Sequence, residues 1–116
     1  MFSGYASSHQ FTPTYPEWEQ SATTGILQTT MLLFNSREDI SFYEIKVFDE
    51  EWNTIPFAGA GLSGVILIPH LERKFIPIYI RKRDVAAARY ICSRSKILAG
   101  GKQVSQVSSR ICSKLK

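Results

Sequence analysis

The sequence predicts an all-β domain built as a sandwich of about seven short strands. Segments rich in Val, Ile, Phe, Tyr and Thr recur between turn signals, whereas no long run places apolar residues at the spacing of a helix. The chain has 116 residues, of which 44% are hydrophobic and 21% charged, and this suits one folded domain with one core. We therefore expect a single domain over residues 9–116, preceded by a loose tail over residues 1–8.

Seven segments have the composition of strands, and they span residues 11–19, 26–34, 40–48, 65–68, 75–81, 89–94 and 103–115. The first contains two prolines, which cannot donate to a β-ladder, so it fits an edge strand with breaks. The second is nearly continuous in apolar residues and ends at a polar turn. In the third, Tyr43, Ile45 and Val47 alternate with Glu44 and Lys46, so we expect one buried face.

Turns separate the remaining strands. A polar turn is expected at residues 49–53, and the Gly-rich stretch 59–64 is expected to be a flexible loop or a corner between two sheets. Later turns are expected at residues 69–70 and 100–101, while residues 84–88 have room for a single helical turn. So many strands and turns in one small domain favour a sandwich.

Several classes of function lack the residues that they need. Two uncharged stretches, 20–36 and 52–69, are interrupted by polar residues, glycine or proline, so no transmembrane helix is predicted, and the first residues show no signal peptide. Neither His9 nor His70 lies near a cysteine at metal-ligand spacing. The chain has no G-x-S-x-G motif and no phosphate-binding glycine loop. We expect a protein without enzymatic activity, metal or cofactor.

Charge is divided unevenly along the chain. Residues 1–70 carry two basic and eight acidic side chains, whereas residues 71–116 carry twelve basic and two acidic ones. The basic part predicts attraction to nucleic acid, an anionic surface or an acidic partner, or else a solvated face that balances the acidic part. The candidate basic patch consists of Arg81, Lys82, Arg83, Arg89, Arg94 and Lys96.

The positions of the two cysteines favour a disulfide. Cys92 falls in the sixth predicted strand and Cys112 in the seventh, so an antiparallel hairpin could place them opposite each other. A disulfide between them would close a loop of roughly 20 residues, which stabilises a fold by about 3 kcal/mol in the chain-entropy model. The alternative is two small buried or half-buried thiols.

Four segments carry a resemblance to a known family, and they are FTPTYPEWEQSATTGILQTTMLLFNSRED, FYEIKVFDEEWN, IPHLERKFIPIYIRKRDVAAARYICSRSK and QVSSRICSKLK. Their order of strands and turns resembles the N-terminal immunoglobulin-like domain of the periplasmic pilus chaperones, the PapD-like family, over about residues 9–116. The resemblance implies an immunoglobulin-like seven-stranded β-sandwich, a periplasmic location and a role in pilus or fimbria assembly.

The resemblance also implies a way of binding. In that family the last strand adds to the incomplete sheet of a partner subunit. This chain would then bind a pilin-like subunit at its last-strand edge, with Val107, Ile111 and Leu115 exposed on one face and Ser109 between them. Lys114 is the candidate anchor for the partner's terminal carboxylate. The alternative is that these apolar residues face the domain's own core.

Two other classes of function stay open from the sequence. One is a binder of nucleic acid or an anionic surface, which would use the candidate basic patch. The other is a structural subunit of a filament or virion, because such subunits share the sandwich architecture.

Overall fold

The computed structural model describes residues 9–61, 64–96 and 109–116, which form two antiparallel sheets packed face to face as a sandwich. In these ranges the strands are β1 (His9–Thr12), β2 (Glu19–Gln20), β3 (Ile26–Asn35), β4 (Phe42–Phe48), β5 (Thr54–Ile55), β6 (Val65–Leu67), β7 (Arg73–Arg81), β8 (Tyr90–Lys96) and β9 (Arg110–Lys114). The all-β prediction is confirmed. The expected turn at residues 100–101 and the expected tail lie outside the described residues.

Nine strands appear in the described ranges where the sequence predicted about seven in the whole chain. The first predicted strand, 11–19, is two strands, because its prolines interrupt the ladder between β1 and β2. The short strand β5 was not predicted, since it follows the polar turn and has only two residues. The expected helical turn is a 3₁₀ turn over Lys82–Asp84, after which the backbone N–H of Ala88 donates to Asp84 O.

Each sheet is built around one long strand pairing. In sheet A, β7 pairs with β3 over the whole length of β7, and β1 and β2 lie on the other side of β3. Sheet B has the order β5-β4-β8-β9, with β6 also beside β4. β9 therefore lies at one edge of sheet B.

Alternate residues of the central strands fill the core between the sheets. Tyr43, Ile45 and Val47 of β4 are buried, as their alternation with polar residues predicted. The other large and fully buried apolar residues are Met31, Leu33, Ile68, Ile78, Ile80 and Ile91. Burying each such side chain contributes about 1.5 to 3 kcal/mol, so this set stabilises the packing of the two sheets.

The N-terminal segment connects the two sheets. After β1 has paired with β3, the chain passes across to sheet B. There the N–H of Lys114 donates to Thr14 O at 3.0 Å, and the N–H of Lys116 donates to Pro16 O at 3.2 Å. Residues 14–16 therefore lie along the C-terminal part of β9 and cover that part of its outer edge.

The described part of the Gly-rich stretch belongs to a corner between the sheets. β5 pairs with β4 in sheet B, Ala58 pairs with Tyr79 of sheet A, and β6 pairs with β4 again. At this corner Gly59 has a φ of +112°, and a Cβ added to it would overlap the carbonyl oxygen of Pro77. Only glycine fits there without a shift of the backbone. No helix within the described ranges has the length and hydropathy needed to cross a membrane.

Candidate functional site

Within the described ranges, part of the outer edge of β9 has no paired strand, although β1 lies close to β9. The bonds Ser95 N to Ser109 O and Leu115 N to Arg89 O show that odd-numbered residues of β9 direct their backbone groups toward β8. Arg110 therefore directs its N–H and C=O outward, and so does the residue two positions later, Cys112. In the part of the chain that the structure describes, no backbone group bonds to these outward N–H groups.

The predicted disulfide is present. Cys92 and Cys112 lie directly opposite each other in the pairing of β8 with β9, with their Cα atoms 4.0 Å apart. Both cysteines lie on the outer face of sheet B, and neither is free. The bond joins residues 20 positions apart in the sequence. Because Cys92 and Cys112 form the central pair of β8 and β9, the bond holds the edge strand to its neighbour at the middle of their pairing.

The prediction that apolar residues of the last strand form an exposed ladder is wrong for the described residues. Leu115 is 6% exposed and belongs to the core, and Ile111 is partly buried and packs against that core. The reason is geometric, since the cysteine of β9 faces outward and the residues of opposite parity, which include Ser113, must face inward. The alternative, that these residues face the domain's own core, describes them correctly.

The other residues expected at the partner-binding site have different positions. Ser109 directly precedes β9, and its Oγ lies 3.3 Å from His9 Nδ1. Lys114 is exposed, and its backbone N–H already donates to Thr14 O. Val107 lies outside the described residues.

The candidate basic patch is not one patch. Its members are Arg81, Lys82, Arg83, Arg89, Arg94 and Lys96, and the first three are exposed at the end of β7 and in the 3₁₀ turn. Arg89 precedes β8 and donates to Ala86 O at 2.7 Å. The last two lie in the second half of β8. Because a strand rises about 3.3 Å per residue, roughly 17 Å of strand separates Arg89 from Arg94, and the patch is divided between the two ends of β8.

A cluster of cations on the outer face of sheet B was not anticipated from the sequence. Lys46, Arg94 and Lys96 surround the single carboxylate of Glu44, with N–O distances of 4.0, 3.9 and 3.8 Å. The register places Arg94 between Glu44 on β4 and Arg110 on β9. We call the four cations Lys46, Arg94, Lys96 and Arg110 the cation cluster.

Aromatic rings lie beside the cation cluster. Trp52 stacks on Tyr90 with 4.3 Å between ring centroids and 6° between planes, and the Phe48 ring lies 5.5 Å from Trp52. The guanidinium carbon of Arg110 lies 5.1 Å from the Trp52 centroid and 6.0 Å from that of Phe48. These cation–π distances show that the aromatic rings hold the Arg110 side chain over the sheet face.

The cation cluster borders a small recess of about 60 Å³, which is lined by Glu44, Lys46, Phe48, Cys92, Arg94 and Arg110. Three of these six side chains are cations and one is an acid. The alternation of β4 and β8 does predict that Lys46 and Arg94 face outward. Only the register of the three strands brings them together with Arg110.

A buried polar network occupies one end of the core. The Tyr43 hydroxyl donates to Asn35 Oδ1 at 2.5 Å, and Asn35 Nδ2 donates to the carbonyls of Ile40 and Ile68 at 2.8 Å each. His9 Nε2 lies 2.9 Å from Ser93 Oγ, also in the interior. Desolvation raises the pKa of Tyr43 to about 12 and lowers the pKa of His9 to about 4. The network is closed to solvent, so its role is structural.

The described residues contain no group of three His, Cys, Asp or Glu side chains that could hold a metal ion. His70 is exposed in the turn before β7. The fold and these surfaces define a β-sandwich protein with a cationic sheet face and with a strand edge that is partly unpaired within the described ranges. The chain matches no protein-family model, no curated protein and no solved structure. Its function is therefore inferred from the geometry of β9 and of the outer face of sheet B.

Proposed function

We propose that this protein is a non-enzymatic binding module of pilus or fimbria assembly in the periplasm, and that it binds a partner subunit by β-strand addition at the outer edge of β9. Strand addition is supported by the outward direction of the N–H and C=O groups of Arg110 and Cys112, whereas the role in pilus or fimbria assembly rests on the resemblance of the four sequence segments. An extended partner segment placed beside β9 would pair with these groups and continue sheet B by one strand.

The strand pairing supports an immunoglobulin-like sandwich as the finer description of the fold. β1, β3 and β7 pair in one sheet, and β4, β8 and β9 pair in the other, as the corresponding strands of that architecture do. The disulfide supports an oxidising compartment, because such bonds persist in the periplasm and are rare in the cytosol.

The length of edge available to a partner is limited by the chain itself. Residues 14–16 already pair with Lys114 and Lys116, so an added strand would pair along Arg110 and Cys112 and would end where Thr14 begins. Specificity would come from side chains next to this edge, since backbone pairing alone does not select a sequence.

Two substitutions at one position test strand addition. Arg110→Pro removes an outward N–H and leaves the hydrogen bonds to β8 in place, because those bonds belong to the odd-numbered residues. Arg110→Gln removes the same charge and keeps the N–H, so it is the matched control. The probe is a pilin-type subunit whose own fold lacks one strand.

We expect the proline variant to bind the subunit at least about tenfold more weakly than the glutamine variant, since one or more hydrogen bonds are lost. Amide exchange at Arg110 and Cys112 should also slow in the complex of the unmodified protein. Equal binding by the two variants, or unchanged exchange at both amides, would show that β9 does not accept a strand.

A second candidate function is the binding of an anionic polymer, and the three consecutive exposed cations Arg81, Lys82 and Arg83 favour it. Oligodeoxythymidylate is the probe. Binding by phosphate contacts should weaken steeply between about 50 and 200 mM salt, and replacing all three residues by glutamine should weaken it further. Binding that is absent, or insensitive to salt, eliminates this candidate.

A further inference from the structure

We infer that the recess on the outer face of sheet B is a binding site for an acidic side chain of a partner polypeptide, whose carboxylate would be held by Arg94, Arg110 and Lys46. The recess is formed by side chains on a sheet face, whereas strand addition would use the backbone edge of β9. An acidic segment could therefore occupy the recess whether or not it also adds to the sheet.

The cation cluster has more positive charge than its surroundings neutralise. Glu44 is shared by three cations at 3.8 to 4.0 Å, which is longer than a direct hydrogen bond. Within the described ranges Arg110 has no carboxylate within ion-pair distance, and its guanidinium group lies over the rings of Trp52 and Phe48. Four cations against one acid leave a site that favours a second carboxylate.

The recess also has the size and polarity for a carboxylate. At about 60 Å³ it has room for such a group, since a liquid water molecule occupies about 30 Å³. Cys92, which is 2% exposed, and Phe48 form apolar parts of its lining. Charge-assisted hydrogen bonds are stronger beside such surfaces than in open water. Because the aromatic rings already hold Arg110 over the sheet, little side-chain entropy is lost on binding.

Two observations favour an acidic polypeptide over a nucleic acid. Trp52 stacks on Tyr90 and contacts Arg110, so although the residue is 43% exposed, less of its ring is open to a base than in an unpaired tryptophan. The acidic turn residues 49–51 directly follow β4, beside Phe48, and would repel a long polyanion lying along this face. A single acidic side chain entering the recess avoids that turn.

Calorimetric titration with a short acetylated and amidated peptide tests the inference, with one central glutamate among neutral residues and the same peptide carrying glutamine at that position as the control. We expect Arg94→Gln and Arg110→Gln together to weaken binding of the glutamate peptide at least about tenfold, because hydrogen bonds to a charged carboxylate are stronger than those between neutral groups. Arg83→Gln should leave binding unchanged, since Arg83 is exposed at the end of the sandwich.

Four outcomes would overturn the inference. They are equal binding of the glutamine peptide, an equal loss of binding with Arg83→Gln, tighter binding of oligodeoxythymidylate than of the glutamate peptide, and no binding of the glutamate peptide at low salt. Free acetate that binds as tightly as the peptide would overturn the assignment to a polypeptide. Arg94→Gln leaves β9 unchanged, so its effect tests the recess separately from strand addition.

Discussion

Acidification is expected to destabilise this fold through one buried histidine. The side chain of His9 is in contact with Ser93 and Tyr43 in the interior, and the residue is 1% exposed. Desolvation lowers the pKa of His9 to about 4; the hydrogen bond with Ser93 opposes this shift, and the charge of Arg37 adds to it. In the unfolded chain the same imidazole titrates near its ordinary value of about 6.5.

The direction and size of the effect follow from proton linkage. Between pH 6.5 and pH 4 the unfolded chain binds a proton that the folded chain does not, so the free energy of unfolding falls as the pH falls. The contribution of neutral His9 is fully present above about pH 6.5 and is lost toward pH 4. The linkage relation gives a loss of about 2 kcal/mol between pH 7.5 and pH 5.

Urea unfolding followed by tryptophan fluorescence at a series of pH values measures this loss. His9→Gln keeps a hydrogen-bonding group near Ser93 and should remove most of the pH dependence in this range. His70→Asn removes the other histidine and should leave the pH dependence of stability in this range unchanged. The pKa of Glu17 is lowered by its hydrogen bond with Lys116, and its contribution disappears only as the pH falls below 4.5, so it does not affect the loss between pH 7.5 and pH 5.

The reasoning is refuted if the His9 ring of the folded protein titrates near pH 6.5 in an NMR experiment. A His9→Gln variant that loses stability on acidification as the unmodified protein does would refute it equally. The NMR titration uses the unmodified protein, so it decides the question even where the variant does not fold.

Three further substitutions have expected effects on urea unfolding. Replacing Cys92 and Cys112 by alanine should lower the free energy of unfolding by about 3 kcal/mol, and an unchanged value would contradict the role given to the disulfide. Tyr43→Phe should cost about 1 to 2 kcal/mol, because a buried hydrogen bond is lost; no loss would mean that the bond adds nothing. Gly59→Ala should cost about 2 kcal/mol or more, and more than Gly25→Ala, since an added Cβ overlaps a carbonyl at Gly59 and meets nothing within 4 Å at Gly25. Equal costs would contradict the steric argument.

The sheet pattern was predictable wherever hydrophobicity alternates. In β4 the alternation of Tyr43, Ile45 and Val47 with charged residues gives both the strand and its buried face. The cysteine pairing was predictable from parity and from the presence of two neighbouring strands. The short strands β2 and β5 were not, because two residues are too few to produce a pattern and depend on a neighbour for their pairing.

The inward face of β9 could not be read from the sequence. Parity separates Leu115 from Cys112 but does not say which of them points inward. The neighbouring strand gives little guidance, because β8 buries Ser93 and Ser95 on its core side. Polar residues in the core make the two faces of that hairpin look alike in hydrophobicity.

The cation cluster could not be predicted for a related reason. Its members come from β4, β8 and β9, which are distant in sequence, and their meeting depends on the register of two pairings. A shift of one residue in either pairing would turn Arg94 or Arg110 to the other face of the sheet. Composition therefore indicates a basic C-terminal part without indicating where its charges collect.

The bond between Cys92 and Cys112 gives the polypeptide a closed covalent ring, which includes every residue from 92 to 112. A protease that cuts the backbone once inside this ring releases no fragment, because the disulfide keeps the two pieces linked and β9 stays beside β8. Such a cut would change the mobility of the protein on a gel only after reduction. The strand that is proposed to receive a partner would thus survive a break in the chain leading to it.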